Sequence, residues 1–514
     1  MSESEPGLGL GTGAQIADAA MPMAAPHADT HNTLQAGKLH LPDVLAQSVT
    51  VMAPAMSGGF ITYLAAIKAG GATPLSFLLA TLAVLLIGTV VAAFASAMKT
   101  AGSLYTYTVK GIGAFWGYLT AWGYTAGLWL AGPSVLAGSA VFLSLVLEDI
   151  GAPSILTHWM VWFGLGLVLW YFIGSRDVKL TTRLSLVGTL VGMGVLGLVA
   201  VIVIAKGGAH GNTLDAFSPS AAGVHWPGVF AGVAFGLLSF TGFETAANLA
   251  EETRNPHRAV PQAVLGAVAI GGVFYVLVTY ATSIGYGVQE ATTKWPESAS
   301  GLAPVADIYA PHLSNWVLLF VAFDAFFCGL ALSNAVSRIM FAMARDGVLP
   351  RALARTHPKH KTPYIALLTY IAGAIVFVAV LLLLTSQTTQ EALAPDSGNL
   401  TGGFYIFTEG LTLITPPIML GYVMLSIAGL CHGAREHRPV LMIVSVLSCG
   451  AAIVAVVGSL WYSFVEAAPG AGIPTPYAVI PWLLAGWLVV GALIAWWLRS
   501  RRPAAWQGMG SVFE

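Results

Sequence analysis

The sequence predicts an all-α membrane protein of twelve transmembrane helices. Ten form a five-plus-five inverted repeat with discontinuous helices one and six, and two additional helices follow at the C-terminal end. Three observations predict this. The 514 residues are 56% hydrophobic and only 9% charged, whereas a soluble domain carries about a quarter charged residues. Apolar runs long enough to span a bilayer recur along the chain. Two of these runs carry helix breakers near their middles, five spans apart.

Runs of about 20 apolar residues mark spanning helices. They fall near 44–68, 75–97, 113–147, 156–174, 180–205, 227–250, 260–286, 315–343, 363–385, 402–431, 438–463 and 477–498. Residues 1–40 are rich in Ser, Gly, Ala, Pro and His and read as a flexible cytoplasmic N-terminal tail, without the basic start and hydrophobic core of a cleavable signal. His27, His31 and His40 there fit no metal motif. Residues 41–435 form the core, with repeats over about 41–206 and 225–435. Residues 436–500 hold helices eleven and twelve, and 501–514 are a C-terminal tail.

With the N-terminus in the cytoplasm, nineteen of the 22 Lys and Arg residues fall on the inside; only Lys68, Lys206 and Lys294 fall outside. The outer loops instead carry acids such as Asp215, Glu290, Glu391, Asp396 and Glu466. Positive charge stays on the cytoplasmic side, so both termini are predicted to be cytoplasmic, in a protein of the cytoplasmic membrane.

The first interrupted run, Val49–Phe60, reads VTVMAPAMSGGF, with Pro54, Gly58 and Gly59 as breakers. The small residues Ser57, Gly58 and Gly59 let a ligand approach the backbone. The unpaired N–H groups at the start of a half-helix suit a carboxylate. The alternative is a proline kink with glycines for helix packing. The second run, Phe235–Glu251, breaks at Thr241 and Gly242 and contains Glu244. An ionisable group inside a span usually faces a cavity or the bundle interior. Glu244 therefore reads either as a proton-coupling group or as a brace for unwound backbone. Phe240 and Phe243 flank this break and could cover a ligand or its cation, or simply pack. Paired broken helices mark solute sites at the bilayer midplane.

Two further acids lie in predicted spans. Asp324, in VAFDAFF of helix eight, and Glu409, in YIFTEGLT of helix ten, could meet a substrate amine from an outer vestibule. The alternatives are a solvated acid or a hydrogen bond to a neighbouring helix. Ser333 and Ser337 on helix eight offer hydroxyls to a coupling cation, or are satisfied within their own helix. After helix eight, Gly347 and Pro350 supply a helix stop before a basic loop. Asn255-Pro256 breaks the chain, and Pro261 can open helix seven. Cys328, Cys431 and Cys449 read as small hydrophobes.

Several classes are disfavoured. A net charge of −1 argues against nucleic acid. No nucleophile–base pair, metal cluster or phosphate loop points to an enzyme or a cofactor. A channel would show rings of like charge or repeated filter segments, and a receptor would be expected to carry a soluble signalling domain.

Met56-Ser57-Gly58-Gly59-Phe60, Ala101–Gly113, SFTGFE at Ser239–Glu244, Glu252-Thr253-Arg254-Asn255-Pro256 and Asn334–Pro350 together resemble the amino acid–polyamine–organocation superfamily of permeases. The resemblance covers roughly residues 40–440. It implies a two-bundle secondary transporter for amino acids or related amines, working by proton symport or by exchange. It places the ligand carboxylate on the Ser57–Gly59 amides. The ligand amine would lie on carbonyls of Phe240, Thr241 and the chain near Ala53. Three positions depart from the pattern: Met56 replaces a glycine, Gly192 stands where some relatives carry a coupling lysine, and Leu238 stands where an exchanger branch has a gating tryptophan.

Overall fold

Long uncharged runs such as Thr73–Ala97 leave the backbone no partners but its own, so in lipid they must be helical. The computed structural model describes residues 36–176, 178–298, 301–384, 400–461, 476–507 and 509. The expected tail up to residue 35, and Glu391, Asp396 and Glu466, lie outside the described residues. The principal helices are α1 (Leu41–Met52), α2 (Thr62–Ala69), α3 (Thr73–Ala97), α4 (Leu104–Ile112), α5 (Ala114–Asp149), α6 (Trp159–Gly174), α7 (Val178–Ala205), α8 (Trp226–Ser239) and α9 (Pro256–Tyr286). They continue with the short α10 (Ala291–Glu297) and α11 (Ala303–Tyr309), then α12 (Ser314–Arg345), α13 (Tyr364–Leu384), α14 (Thr401–Arg435), α15 (Pro439–Trp461) and α16 (Pro476–Arg501).

Ten stretches among the described residues are long and apolar enough to cross a membrane, against twelve expected. The difference has two sources. Runs 44–68 and 75–97 fall in one stretch of 57 residues, Leu41–Ala97. At 1.5 Å per residue that is about 86 Å, far more than the roughly 30 Å hydrocarbon core, and Gly70 turns the chain inside it with φ +49°. Run 156–174 yields only α6, with 16 residues. The sixth expected run is also not one helix, because α-helix stops at Ser239 and resumes as a 3₁₀ segment, Phe243–Glu252.

Prolines behave unequally. Helix α9 opens at Pro256 behind Asn255, which is left-handed at φ +54°, so Pro261 sits inside the helix and does not begin it as expected. Pro256 takes the first helical position, where a missing N–H costs nothing. Pro133 in α5 and Pro416-Pro417 in α14 are also carried within continuous helices. The stop after α12 falls where expected, with Gly347 at φ +79°.

The core is built by α5 packing along α12 and α14, and α9 along α3. Small residues bring the backbones close. On α9, Gly271 faces Met52 and Gly272 faces Thr81 of α3. Helix α1 lies inside this assembly, against α7, α9, α12 and the 3₁₀ segment. Leu39 N–H donates to Glu252 O at 2.9 Å and Arg254 N–H to Leu39 O at 2.8 Å, joining the start of the core to the end of the 3₁₀ segment.

Candidate functional site

The residue before a proline is pushed out of the helical region. Ala53, ahead of Pro54, takes φ +44° and ψ +65° and ends α1. Gly58 and Gly59, expected as breakers, instead lie in a π-turn, Ser57–Ile61, that continues toward α2. Their bare Cα atoms pack tightly, since a Cβ on Gly59 would lie 2.6 Å from Val321 Cγ2. The second break is at Gly242, φ +99°, with Val51 of α1 where its Cβ would be. The two breaks therefore touch. Ser48 of α1 ties them further: its hydroxyl donates to Phe243 O and accepts from Ala246 N–H at 3.0 Å.

The carbonyls freed where α1 ends have partners, as buried backbone groups must. Val51 O accepts from Cys328 Sγ at 3.1 Å. Met52 O accepts from Ser57 Oγ at 3.0 Å and lies 3.1 Å from Tyr275 Oη. Ala53 O accepts from Ser57 N–H at 2.8 Å. Tyr275, on α9, also lies 2.8 Å from Ser239 O, so one phenol bridges the end of α1 to the end of α8. Phe240 is buried edge-on to the Tyr275 ring at 5.0 Å. Phe240 O, an expected amine partner, accepts from Phe243 N–H at 3.1 Å.

At the other pole, Asp324 Oδ2 of α12 accepts from Ala55 N–H at 2.8 Å and Met56 N–H at 3.0 Å. An acid was expected in a vestibule; the structure buries Asp324 completely. The amides that face an anion here precede the expected set, Ser57–Gly59, by one to two residues, and the anion belongs to the chain itself. Glu409, the other vestibule candidate, is likewise buried within α14.

Glu244 is fully buried at the start of the 3₁₀ segment. Its two oxygens accept from Tyr124 Oη of α5 and from Tyr422 Oη of α14, the latter at 3.0 Å. Phe243 packs on the Tyr422 ring at 5.7 Å. Ser333 donates to Leu330 O at 2.7 Å and Ser337 to Ser333 O at 2.6 Å, both within α12. Below the breaks, Arg338 forms a buried ion pair with Glu252 (2.6 Å), and Arg345 pairs with Glu251 (2.8 Å). Sequence reasoning missed Tyr275, Tyr124, Tyr422 and these two ion pairs.

A family model for amino acid permeases matches residues 39–509. The chain belongs to the amino acid permease family. The match bears out the resemblance drawn from the broken-helix segments. With the apolar helices it marks an integral membrane protein of a transporter family. Similar proteins include the branched-chain amino acid permease BcaP of Bacillus subtilis (strain 168), 26% identical over 60% of this chain and 67% of its own length. The cationic amino acid transporter 4 of Mus musculus is 26% identical over 63% of this chain and 51% of its own. The low-affinity putrescine importer PlaP of Escherichia coli (strain K12) is 28% identical over 60% and 67%. The chain thus spans between half and two thirds of these relatives.

Proposed function

We propose that this chain is a secondary active transporter that carries an amino acid or related amine across the cytoplasmic membrane by alternating access. The observation behind this reading is the contact between two broken helices, with left-handed Gly242 against Val51, two residues before left-handed Ala53, and Tyr275 bridging Met52 O and Ser239 O. Unwound backbone in a membrane is tolerated where protein or a cavity covers it, and such pairs hold cargo in transporters. In this reading twelve crossings comprise a five-plus-five inverted repeat and two further helices, with both termini inside. Cargo binds between the breaks, near Ala53, Met56, Ser57, Phe240 and Thr241. Binding biases the equilibrium between outward-open and inward-open states. Proton symport is favoured over exchange because Glu244, a buried acid, contacts both α5 and α14 and can couple its protonation to their packing.

Reconstituted protein tests this directly. Saturable counterflow of a labelled amino acid or amine is expected; flux that never saturates would identify a channel. Uptake into empty vesicles driven by an inward proton gradient is expected for symport. Uptake only into vesicles preloaded with cargo would instead support the exchanger reading.

A further inference from the structure

The amide pole of the first break already holds an anion. Asp324 Oδ2 takes the N–H groups of Ala55 and Met56, and Ser57 N–H is committed to Ala53 O. The other oxygen, Oδ1, is buried. Thr189 Oγ1 of α7 lies beside the Asp324 carboxylate as a hydroxyl donor to it. Across the break, the Tyr275 hydroxyl lies against Met52 O and Ser239 O. The site therefore presents one carboxylate oxygen, Oδ1, that takes no backbone amide, at the same break where Met52 O and Ser239 O meet the Tyr275 hydroxyl.

Two basic side chains on the packed elements, Arg338 and Arg183, are engaged elsewhere. Arg338 of α12 is fourteen residues from Asp324, about 21 Å along the helix, and pairs with Glu252. Arg183 of α7 pairs with Asp43 at 3.1 Å.

We infer that the cargo is an organic amine without a carboxylate, with Asp324 as its counter-charge. This rests on the reading that the breaks form the cargo site. An incoming carboxylate would find the Ala55 and Met56 amides taken, and two carboxylates in one site repel. An ammonium group can donate to Oδ1, whose two lone pairs accommodate it beside Thr189, and to the carbonyls that Tyr275 now contacts. Charge-assisted hydrogen bonds of this kind are the strong ones.

The test uses the full-length protein in nanodiscs and pairs of compounds that differ only by a carboxylate, putrescine against ornithine and isoamylamine against leucine. Affinities come from ligand-dependent thermal stabilisation. Each amine is expected to bind at least about tenfold tighter than its parent amino acid, equivalent to about 1.4 kcal/mol. Asp324→Asn should weaken amine binding about tenfold and leave amino acid binding within about threefold. Amino acids that bind as tightly as their amines, or an amine preference that survives Asp324→Asn, would overturn the inference while leaving the transport reading intact. Stabilisation by neither class would overturn both. Should Asp324→Asn not fold, the wild-type comparison decides alone, and Asp324→Glu, which keeps the charge, is expected to keep the amine preference; a reversal there also overturns it.

Discussion

Replacing Glu244 with glutamine separates its two roles. Glutamine retains an oxygen for Tyr124 or Tyr422 but cannot carry a coupling proton. Proton-driven uptake by Glu244→Gln is expected to lose its dependence on pH. Full uptake with an unchanged pH profile would leave the residue as a brace only. The sequence shows Glu244 as an acid stranded among apolar neighbours, because that signal is local. Its partners are invisible there: Tyr124 and Tyr422 are 120 and 178 residues away, and tyrosines are common in membrane helices. Asp324 is legible in the same way as an acid within an apolar span, though the sequence expectation put it in a vestibule. Its cap on Ala55 spans 269 residues, so only the folded chain shows that it faces an amide pole and not a vestibule.

At the level of elements, the break in the 3₁₀-linked helix depends on one glycine. Alanine at Gly242 would hold a left-handed conformation at about 1–2 kcal/mol and drive its Cβ into Val51. Gly242→Ala is expected to lower the melting temperature of the purified protein and abolish uptake. The ion pair beneath it offers a second check. Glu252→Gln leaves the buried Arg338 guanidinium without its counter-ion, a loss of about 3–5 kcal/mol. Exchanging both for apolar residues (Arg338→Met with Glu252→Leu) should restore much of that stability, as thermal denaturation would read. Breaks were partly legible from composition. Pro54 and Gly242 mark them correctly, because proline forbids and glycine permits specific dihedrals. Gly58 and Gly59 misled because glycine also serves close packing, here against Phe274 and Val321. Pro133, Pro261 and Pro416-Pro417 stay within helices. A proline's local rule therefore cannot say which helix the surrounding bundle will hold together.

For the whole molecule, the asymmetry of Lys and Arg predicts which way it sits. A cysteine introduced at Ser220, exposed between α7 and α8, should react with an impermeant thiol reagent in intact cells. One at Arg355, exposed after α12, should react only after permeabilisation. The reverse pattern would invert the proposed topology. Fold class is the most legible property of this chain, since hydrophobic length alone dictates it. The count of crossings is less so, because Leu41–Ala97 reads as one apolar stretch and α6 is short.

The contacts between α1 and α12 carry a mechanical consequence. Gln47 Nε2 donates to Ala331 O at 3.0 Å, Cys328 Sγ to Val51 O at 3.1 Å, and Ala55 N–H to Asp324 at 2.8 Å. These rungs recur about once per helical turn on both partners, two below the break and one above it. Helix α12 thus splints the fracture along one side, and the chain is not free to flex there in every direction. Of these three rungs, swinging the lower arm away from α12 parts the Gln47 and Cys328 ones, while the Asp324 rung can stay closed as the pivot.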